Sequence, residues 1–336
     1  MIWIAVDAMG GDEAPGHIVD GALAAARHFD VGIVLVGPSA RLETEVGRHI
    51  GTDSARIRIV DADAVVQMAE APASALRRKS TASIRIATEL VARGEAAAVF
   101  SAGHTGATVL AAHSAFGMLP GVDRPALAAT IPTSQRPAVL LDVGASVECR
   151  PAHLLQFAVM GSMHARVGLG IEFPRVGLLS IGEEETKGND LTREAHRLLK
   201  ASSVTFIGNI EARDVYSGAA DVIVCDGFTG NIALKISEGL VAMAEAQLGD
   251  ELSRKVTMRI GSLLMRRAMR RFRARVDYSE YGGAPLLGVA GIAIVGHGRS
   301  TPKAVRNGIA MAYRFAADHF IERVERDIAA AGVAHL

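Results

Sequence analysis

Ile2–Asp12 reads IWIAVDAMGGD: five apolar residues, an aspartate, then a glycine pair within the next four positions. An apolar run without polar alternation marks a strand buried on both faces of a parallel sheet. A glycine-rich turn directly after it lets the backbone swing from strand to helix. The same device recurs along the chain. Apolar runs at Gly32–Val36, Ala96–Phe100, Ala126–Ile131, Ala138–Asp142, Val176–Ile181, Val204–Ile207 and Asp221–Cys225 alternate with helix-like segments. Those segments are Pro15–Phe29, Ser80–Arg93, Thr105–Ala115, Pro151–Val167, Leu191–Lys200 and Asn231–Leu248, with a final helix from Pro302 to about Ala331 capped by Thr301. This alternation predicts a doubly wound, mainly parallel sheet in a three-layer α/β/α sandwich. No repeat, low-complexity tract or linker divides the chain, so residues 1–336 read as a single α/β domain with room for two lobes.

Composition excludes several classes. Two cysteines, Cys149 and Cys225, cannot make a disulfide framework and fit a reducing compartment. The start has no basic region before its apolar run, unlike a secretory signal. The most apolar later stretch, Ala284–Gly296, is broken by Pro285 and three glycines, too short for the roughly 20 residues a bilayer needs. The expectation is a cytoplasmic protein, at most peripheral on a membrane. Aromatics at 4% leave few stacking surfaces, against nucleic acid as a partner.

The formal charge is zero, from 36 basic and 36 acidic residues. That neutrality hides an asymmetry. Glu251–Val276 carries nine basic residues against one acid, so the other 310 residues carry −8. Its apolar residues, Leu263 and Leu264 among them, recur at steps of three and four, and Arg266, Arg267, Arg270 and Arg271 supply the charge. This predicts a projecting basic amphipathic helical arm. Three uses stay open for it: an anionic membrane surface, an acidic protein partner, or a dimer contact.

The candidate chemistry lies in the loops after the strands, where open α/β sheets bind ligands. The first ends in Asp7, Gly10, Gly11 and Asp12. Ala96–Phe100 is followed by Ser101, Gly103, His104, Thr105 and Gly106. Ala138–Asp142 leads to Asp142, Gly144 and Ser146; Val176–Ile181 leads to Lys187 and Asn189; Asp221–Cys225 leads to Asp226, Thr229, Gly230 and Asn231. Backbone N–H groups, small hydroxyls and amides in such loops suit an oxyanion. Lys187, Lys235 and His297, the last set between two glycines, are the candidate charged participants. No phosphate-loop, dinucleotide, serine-elbow or zinc motif is present, so neither a cofactor nor a metal is expected.

These loops, in order, resemble a family. DAMGGDEAP (Asp7–Pro15), SAGHTGA (Ser101–Ala107), LDVGAS (Leu141–Ser146), LLSIGEEETKGN (Leu178–Asn189), GNIEARDV (Gly208–Val215), VCDGFTGN (Val224–Asn231), YGGAPLLGV (Tyr281–Val289) and GHG (Gly296–Gly298) are similar to the PlsX-type phosphate acyltransferases of bacterial phospholipid synthesis. The resemblance runs from Ile2 to about Ala317. It implies conversion of acyl-[acyl-carrier protein] and inorganic phosphate to acyl phosphate and free carrier protein. It also implies a fold like isocitrate/isopropylmalate dehydrogenases and phosphotransacetylases, and a homodimer. It further implies peripheral association with a membrane, where a glycerol-3-phosphate acyltransferase consumes the product, and adds Tyr281 to the substrate-binding residues. Three residues depart from the family's pattern: His104 and Ser146 stand where Asn is usual, and Ala212 where Gly is usual. Ala212 implies that the backbone there does not need a positive φ.

Such a reaction needs no nucleophilic side chain, because phosphate is itself an anionic nucleophile. It needs positioning, oxyanion stabilisation and a route for the departing thiolate. The expected assignment is Lys187 and Asn231 on the oxyanion or phosphate, and His297 protonating the sulfur. Two other classes compete: an NAD-dependent 2-hydroxyacid oxidative decarboxylase, which lacks its cofactor fingerprint here, and a nucleic-acid binder using the arginine-rich segment, which the neutral charge disfavours.

Overall fold

Alternating side chains along each strand divide the core in two. Ile4, Val6, Ile33, Leu35 and Phe100 pack on one face of the sheet, and Ala5, Val34 and Val99 on the other. This is the period-2 geometry of strands covered on both sides. The computed structural model describes residues 1–49, 53–253, 267 and 281–331.

Eleven strands form one sheet: β1 (Ile2–Asp7), β2 (Val31–Gly37), β3 (Ile57–Asp61), β4 (Ala98–Ser101), β5 (Ala126–Ile131), β6 (Ala138–Leu141), β7 (Val176–Leu179), β8 (Phe206–Ile210), β9 (Val222–Val224), β10 (Ala284–Leu287) and β11 (Ile292–Val295). Their order is β3-β2-β1-β4-β11-β10-β5-β6-β9-β7-β8. The helices are α1 (Gly16–His28), α2 (Ser39–Gly47), α3 (Pro72–Arg78), α4 (Ser83–Ala92), α5 (Thr105–Phe116), α6 (Pro151–Leu169), α7 (Asp190–Ala201), α8 (Gly227–Ser253), α9 (Pro302–Ala317) and α10 (Phe320–Ala330). Helices α1, α6 and α9 cover the first face through Leu23, Phe157 and Phe315, and α4 and α5 cover the second through Ala87 and Ala112. The three-layer α/β/α prediction therefore stands.

The direction of the strands departs from a simple doubly wound sheet. β10 pairs antiparallel to both β11 and β5, and β5 pairs antiparallel to β6. The other neighbouring pairs are parallel. Strands β6, β9, β7 and β8 consequently run opposite to β1, β2, β3, β4 and β11. One continuous sheet thus holds two parallel lobes whose carboxyl ends point to opposite edges.

Several local features differ from expectation. Ala284–Gly296, read as a broken apolar stretch, is the β10–β11 hairpin at the centre of the sheet. Gly283, at φ 148°, precedes it in a backbone region that favours glycine. The predicted last helix is two helices, because His319 adopts the left-handed conformation at φ 51° and breaks it. β3 is an edge strand with Arg58 and Asp61 on it, so its apolar run is too interrupted to stand out. Of the arm at 251–276, residues 251–253 form the end of α8 and Arg267 is an exposed helical residue. Leu263, Leu264, Arg266, Arg270 and Arg271 lie outside the described residues.

One ion-pair cluster ties the far lobe. Asp221, 1% exposed before β9, accepts from Arg136 Nε at 2.9 Å and from Arg175 through its backbone N at 2.9 Å and its Nε at 3.0 Å. Burial acts to raise its pKa, but the two guanidiniums outweigh this and hold it at about 2.

Candidate active site

Glycine at two seams lets loop backbones touch where any side chain would intrude. A Cβ on Gly10 would lie 2.7 Å from both Asp7 Oδ2 and the Gly103 N, so the β1 and β4 loops meet backbone to backbone. A Cβ on Gly230 would lie 1.9 Å from the Asp142 carbonyl oxygen, so the first turn of α8 sits directly on the β6 loop.

The carboxylates at these strand ends are anchors. Asp7 is buried and accepts from Ser101 Oγ at 2.7 Å and Met9 N at 3.3 Å. Its burial holds the carboxyl above the usual carboxylate range. Asp142 is fully buried; Oδ1 accepts from the backbone N of Leu127, Gly144 and Ala145, and Oδ2 from Ser146 N at 2.6 Å. Burial pushes its pKa up, against these four donors. Asp226 accepts from Thr229 N at 2.9 Å and Thr229 Oγ1 at 2.8 Å, capping α8. Asp12 donates its backbone N to Gly298 O at 2.7 Å and so ties the β1 loop to the β11 loop.

These anchors frame a cavity of about 160 Å³. From the near lobe come Thr105 at the start of α5, His297 and Arg299 after β11, and Tyr281 before β10. Thr130 comes from β5. Asn231, Lys235 and Glu238 come from α8. Because α8 begins at the carboxyl end of β9 and reaches these loops, it carries far-lobe side chains to the opposite lobe's carboxyl edge. Steps of four and three along α8 place all three side chains on one helical face. Lys235 Nζ donates to Glu238 Oε2 at 2.8 Å.

His297 is half-buried, and its Nδ1 accepts from Arg299 N at 3.2 Å. Burial and then the Lys235 cation hold its pKa below the ordinary imidazole value. The ring is therefore neutral at pH 7. Burial pushes the Cys149 thiol up to about 12 and the Cys225 thiol well above its ordinary value, so neither offers a thiolate nucleophile at neutral pH.

Of the sequence-derived candidates, Thr105, Asn231, Lys235, Tyr281 and His297 line this cavity. Gly10, Gly11, Gly103, Gly106 and Gly144 build the loops beside it; Gly144 lies 3.7 Å from the Asn231 side chain when given a Cβ. His104 caps α5, its Nδ1 accepting from Ala107 N at 3.4 Å, which a capping Asn would also do. Ser146 Oγ donates to Pro125 O at 2.8 Å and so faces the protein. Ala212 opens a short 3-10 turn, and among the described residues His319 is the one non-glycine with positive φ, so no glycine is needed there.

Lys187 and Asn189 are not among the cavity's lining residues. Lys187 is exposed in the loop after β7, in the lobe whose carboxyl ends face the other edge. Neighbouring Glu183 and Glu185 pair with Arg213 and Lys200 instead of with it. Asn189 caps α7 by accepting from Thr192 N at 2.9 Å. In the other direction, Thr130 was not singled out from the sequence. It is the one hydroxyl in the apolar strand ALAATI, it is 4% exposed, and its Oγ1 has no partner among the described residues. That lone polar residue in an apolar strand was the available signal. Among the described residues no cluster of metal-ligating side chains occurs, and no helix is long and apolar enough to cross a membrane.

The fold is shared with a phosphotransacetylase from Streptococcus pyogenes, at TM-score 0.66 and 17% identity over 94% of each chain. A 4-hydroxythreonine-4-phosphate dehydrogenase from Klebsiella pneumoniae aligns at TM-score 0.53 and 16% identity, over 94% of this chain and all of that one. The sequence model of the fatty acid synthesis protein family matches residues 2–323. A phosphate acyltransferase of Pelotomaculum thermopropionicum is 49% identical over 97% of this chain and 94% of its own. One of Acidobacterium capsulatum is 48% identical over 99% and 98%. With a cavity lined from five of the eight motifs that carry the resemblance, and relatives this similar over nearly their whole length, the chain belongs to the PlsX-type phosphate acyltransferase family of fatty acid synthesis proteins.

Proposed function

We propose that this acyltransferase moves an acyl group from the thioester of acyl carrier protein to inorganic phosphate, releasing acyl phosphate and the free carrier thiol. The observation that carries the reading is the convergence of a neutral imidazole, a lysine, an amide and two hydroxyls on one cavity drawn from both lobes.

The chemistry balances through His297. Hydrogen phosphate attacks the thioester carbonyl, the C–O bond forms and the C–S bond breaks. The phosphate proton ends on the sulfur. For the imidazole to carry that proton, Nδ1 leaves the Arg299 N–H: Nδ1 takes the proton as the tetrahedral intermediate forms, and the resulting imidazolium gives a proton to the departing thiolate. Lys235 and Asn231 offer positive charge and an N–H donor to the phosphate or oxyanion, with Thr105 and Thr130 hydroxyls beside them. Lys187, the cation expected from the sequence, keeps a role in this reading only if its exposed loop reaches the cavity when substrate binds.

The reading extends to partners. Ile232, Ile236, Leu240 and Met243 are exposed at helical spacing on α8, which supports pairing with a second copy of the chain. Sedimentation equilibrium with Ile236→Glu tests that. The arm at 251–276 supports peripheral contact with an anionic membrane, beside the glycerol-3-phosphate acyltransferase that would use the product. Loss of vesicle flotation in Leu263→Glu/Leu264→Glu is the expected result.

The test of the reaction is thiol release from acyl carrier protein with and without phosphate. Release must require phosphate; phosphate-independent release refutes the reading. In His297→Ala, kcat falls by about 10²–10⁴. The variant also loses the rise of rate with pH that the wild type shows below neutrality, as the imidazole deprotonates. An unchanged pH profile removes His297 from the proton route.

A further inference from the structure

A second, more open groove lies between α3, α4 and α5, outside the site above. Arg77, Arg85, Glu89 and Arg93 line its rim, and Leu76 and Ala111 lie between them. Residues 72–93 carry five basic side chains and one acid, on a body that outside the 251–276 arm is net acidic. Arg85 and Arg93 share Glu89 across exposed pairs at 2.9 and 3.9 Å, Arg93 also pairs with Glu95 at 2.6 Å, and Arg78 and Lys79 pair with Glu70; exposed pairs of this kind exchange readily for a better acidic partner. Arg77 has no acidic partner among the described residues; its Nε donates to Ala73 O within its own helix. Leu110, large and 39% exposed, stands on α5, the helix that forms one wall.

The groove and the cavity share that helix. Thr105, at the first turn of α5, lines the cavity, whereas Ala111, Ser114 and Ala115 line the groove. At 1.5 Å per residue they are about 9–15 Å apart along the axis. A phosphopantetheine arm has about thirteen bonds from phosphorus to sulfur, the length of roughly four extended residues or about 15 Å. The N-termini of α3 and α5 also abut, a Cβ on Gly106 lying 3.0 Å from Pro72 Cγ, so the two walls are held together at the cavity end.

We infer that the α3–α4–α5 groove is the docking surface for the acidic carrier protein, which stands on it while its arm reaches the cavity along α5. This rests on the transfer reading above. A concave basic groove one arm-length from the reacting atoms suits a small acidic protein; a bilayer needs a broad convex face.

The test uses the full chain with Arg77→Glu/Arg85→Glu, and with Arg77→Glu alone, an exposed change that leaves the fold intact. KM for acyl carrier protein rises by about tenfold or more in the double variant with kcat within twofold, and by less in the single one. Wild-type KM climbs with sodium chloride, and the double variant's climbs less. Anisotropy of a labelled carrier protein bearing a free thiol arm reads docking without turnover: weakened binding in both variants supports the surface. Unchanged binding and KM, with wild-type transfer intact, overturn it. Unchanged KM with loss of flotation on phosphatidylglycerol vesicles also overturns it and makes the groove a lipid contact. Wild type that binds the carrier through this groove but releases no thiol refutes the transfer reading alone.

Discussion

Gly230→Ala is a demanding test of how the cavity is held. The added methyl would sit 1.9 Å from the Asp142 carbonyl oxygen and 2.8 Å from Cys225 Sγ. The nearest obstacle is backbone, fixed by four N–H groups on the Asp142 carboxylate, so it cannot swing aside as a side-chain end would. Relief to ordinary contact moves α8 or the loop by roughly 1 Å, at an overpacking cost of about 3 kcal/mol. The helix propensity gained by replacing glycine offsets about 0.5–1 kcal/mol of this. The net loss is about 2–3 kcal/mol, which at roughly 1.4 °C per kcal/mol for a chain this long lowers Tm by about 3–4 °C. Asn231 and Lys235 ride on the displaced helix, and a shift of roughly 1 Å in a positioning group costs about 10²-fold in rate. Gly249 on the same helix is the control. Nothing lies within 4 Å of its added methyl, so Gly249→Ala raises stability by about 0.5–1 kcal/mol and leaves turnover alone. The assays are thermal melting and phosphate-dependent thiol release. A Gly230→Ala protein that melts within about 1 °C of its parent and keeps more than about half its activity would refute the close seam between α8 and the β6 loop.

Two further outcomes follow from the buried polar groups. Asp221 has a folded pKa of about 2 against an unfolded value near 3.9, worth about 2–3 kcal/mol above pH 5. A depressed carboxylate loses this stability as pH falls through its folded pKa. The urea-measured deficit of Asp221→Asn should therefore shrink to about 1 kcal/mol at pH 3, and a deficit equal at pH 6 and pH 3 contradicts the ion-pair account. Thr130→Val removes a buried hydroxyl with no hydrogen-bond partner among the described residues, so stability stays within about 0.5 kcal/mol or rises. If that hydroxyl meets phosphate, KM for phosphate rises several-fold in the same variant; a silent kinetic result assigns Thr130 to packing.

Local chemistry along the chain carried much of the fold. The eight predicted strands are all strands, because an apolar run closed by glycine has few other stable uses. The cap at Thr301 follows from residue type and position alone, whereas Asp226 and Asn189, read as binding residues, cap α8 and α7 in the structure. The cavity was only partly legible. His297 and Asn231 stand out by their glycine setting, whereas Thr130 sits in a strand whose neighbours are all apolar, and Arg299 and Ser300 gain meaning only from the fold around them.

Sequence alone determined that this is a layered α/β protein with polar, glycine-built strand ends, since both follow from local periodicity and backbone freedom. The tertiary structure decided which of those ends meet. The β10–β11 hairpin inserts between β4 and β5, and the antiparallel pairing of β5 with β6 reverses the far lobe; no local pattern encodes the strand a hairpin will pair with almost 200 residues away. That reversal leaves Lys187 outside the cavity and lets α8 carry Asn231 and Lys235 into it, because a helix running back across the sheet is the element that spans both carboxyl edges.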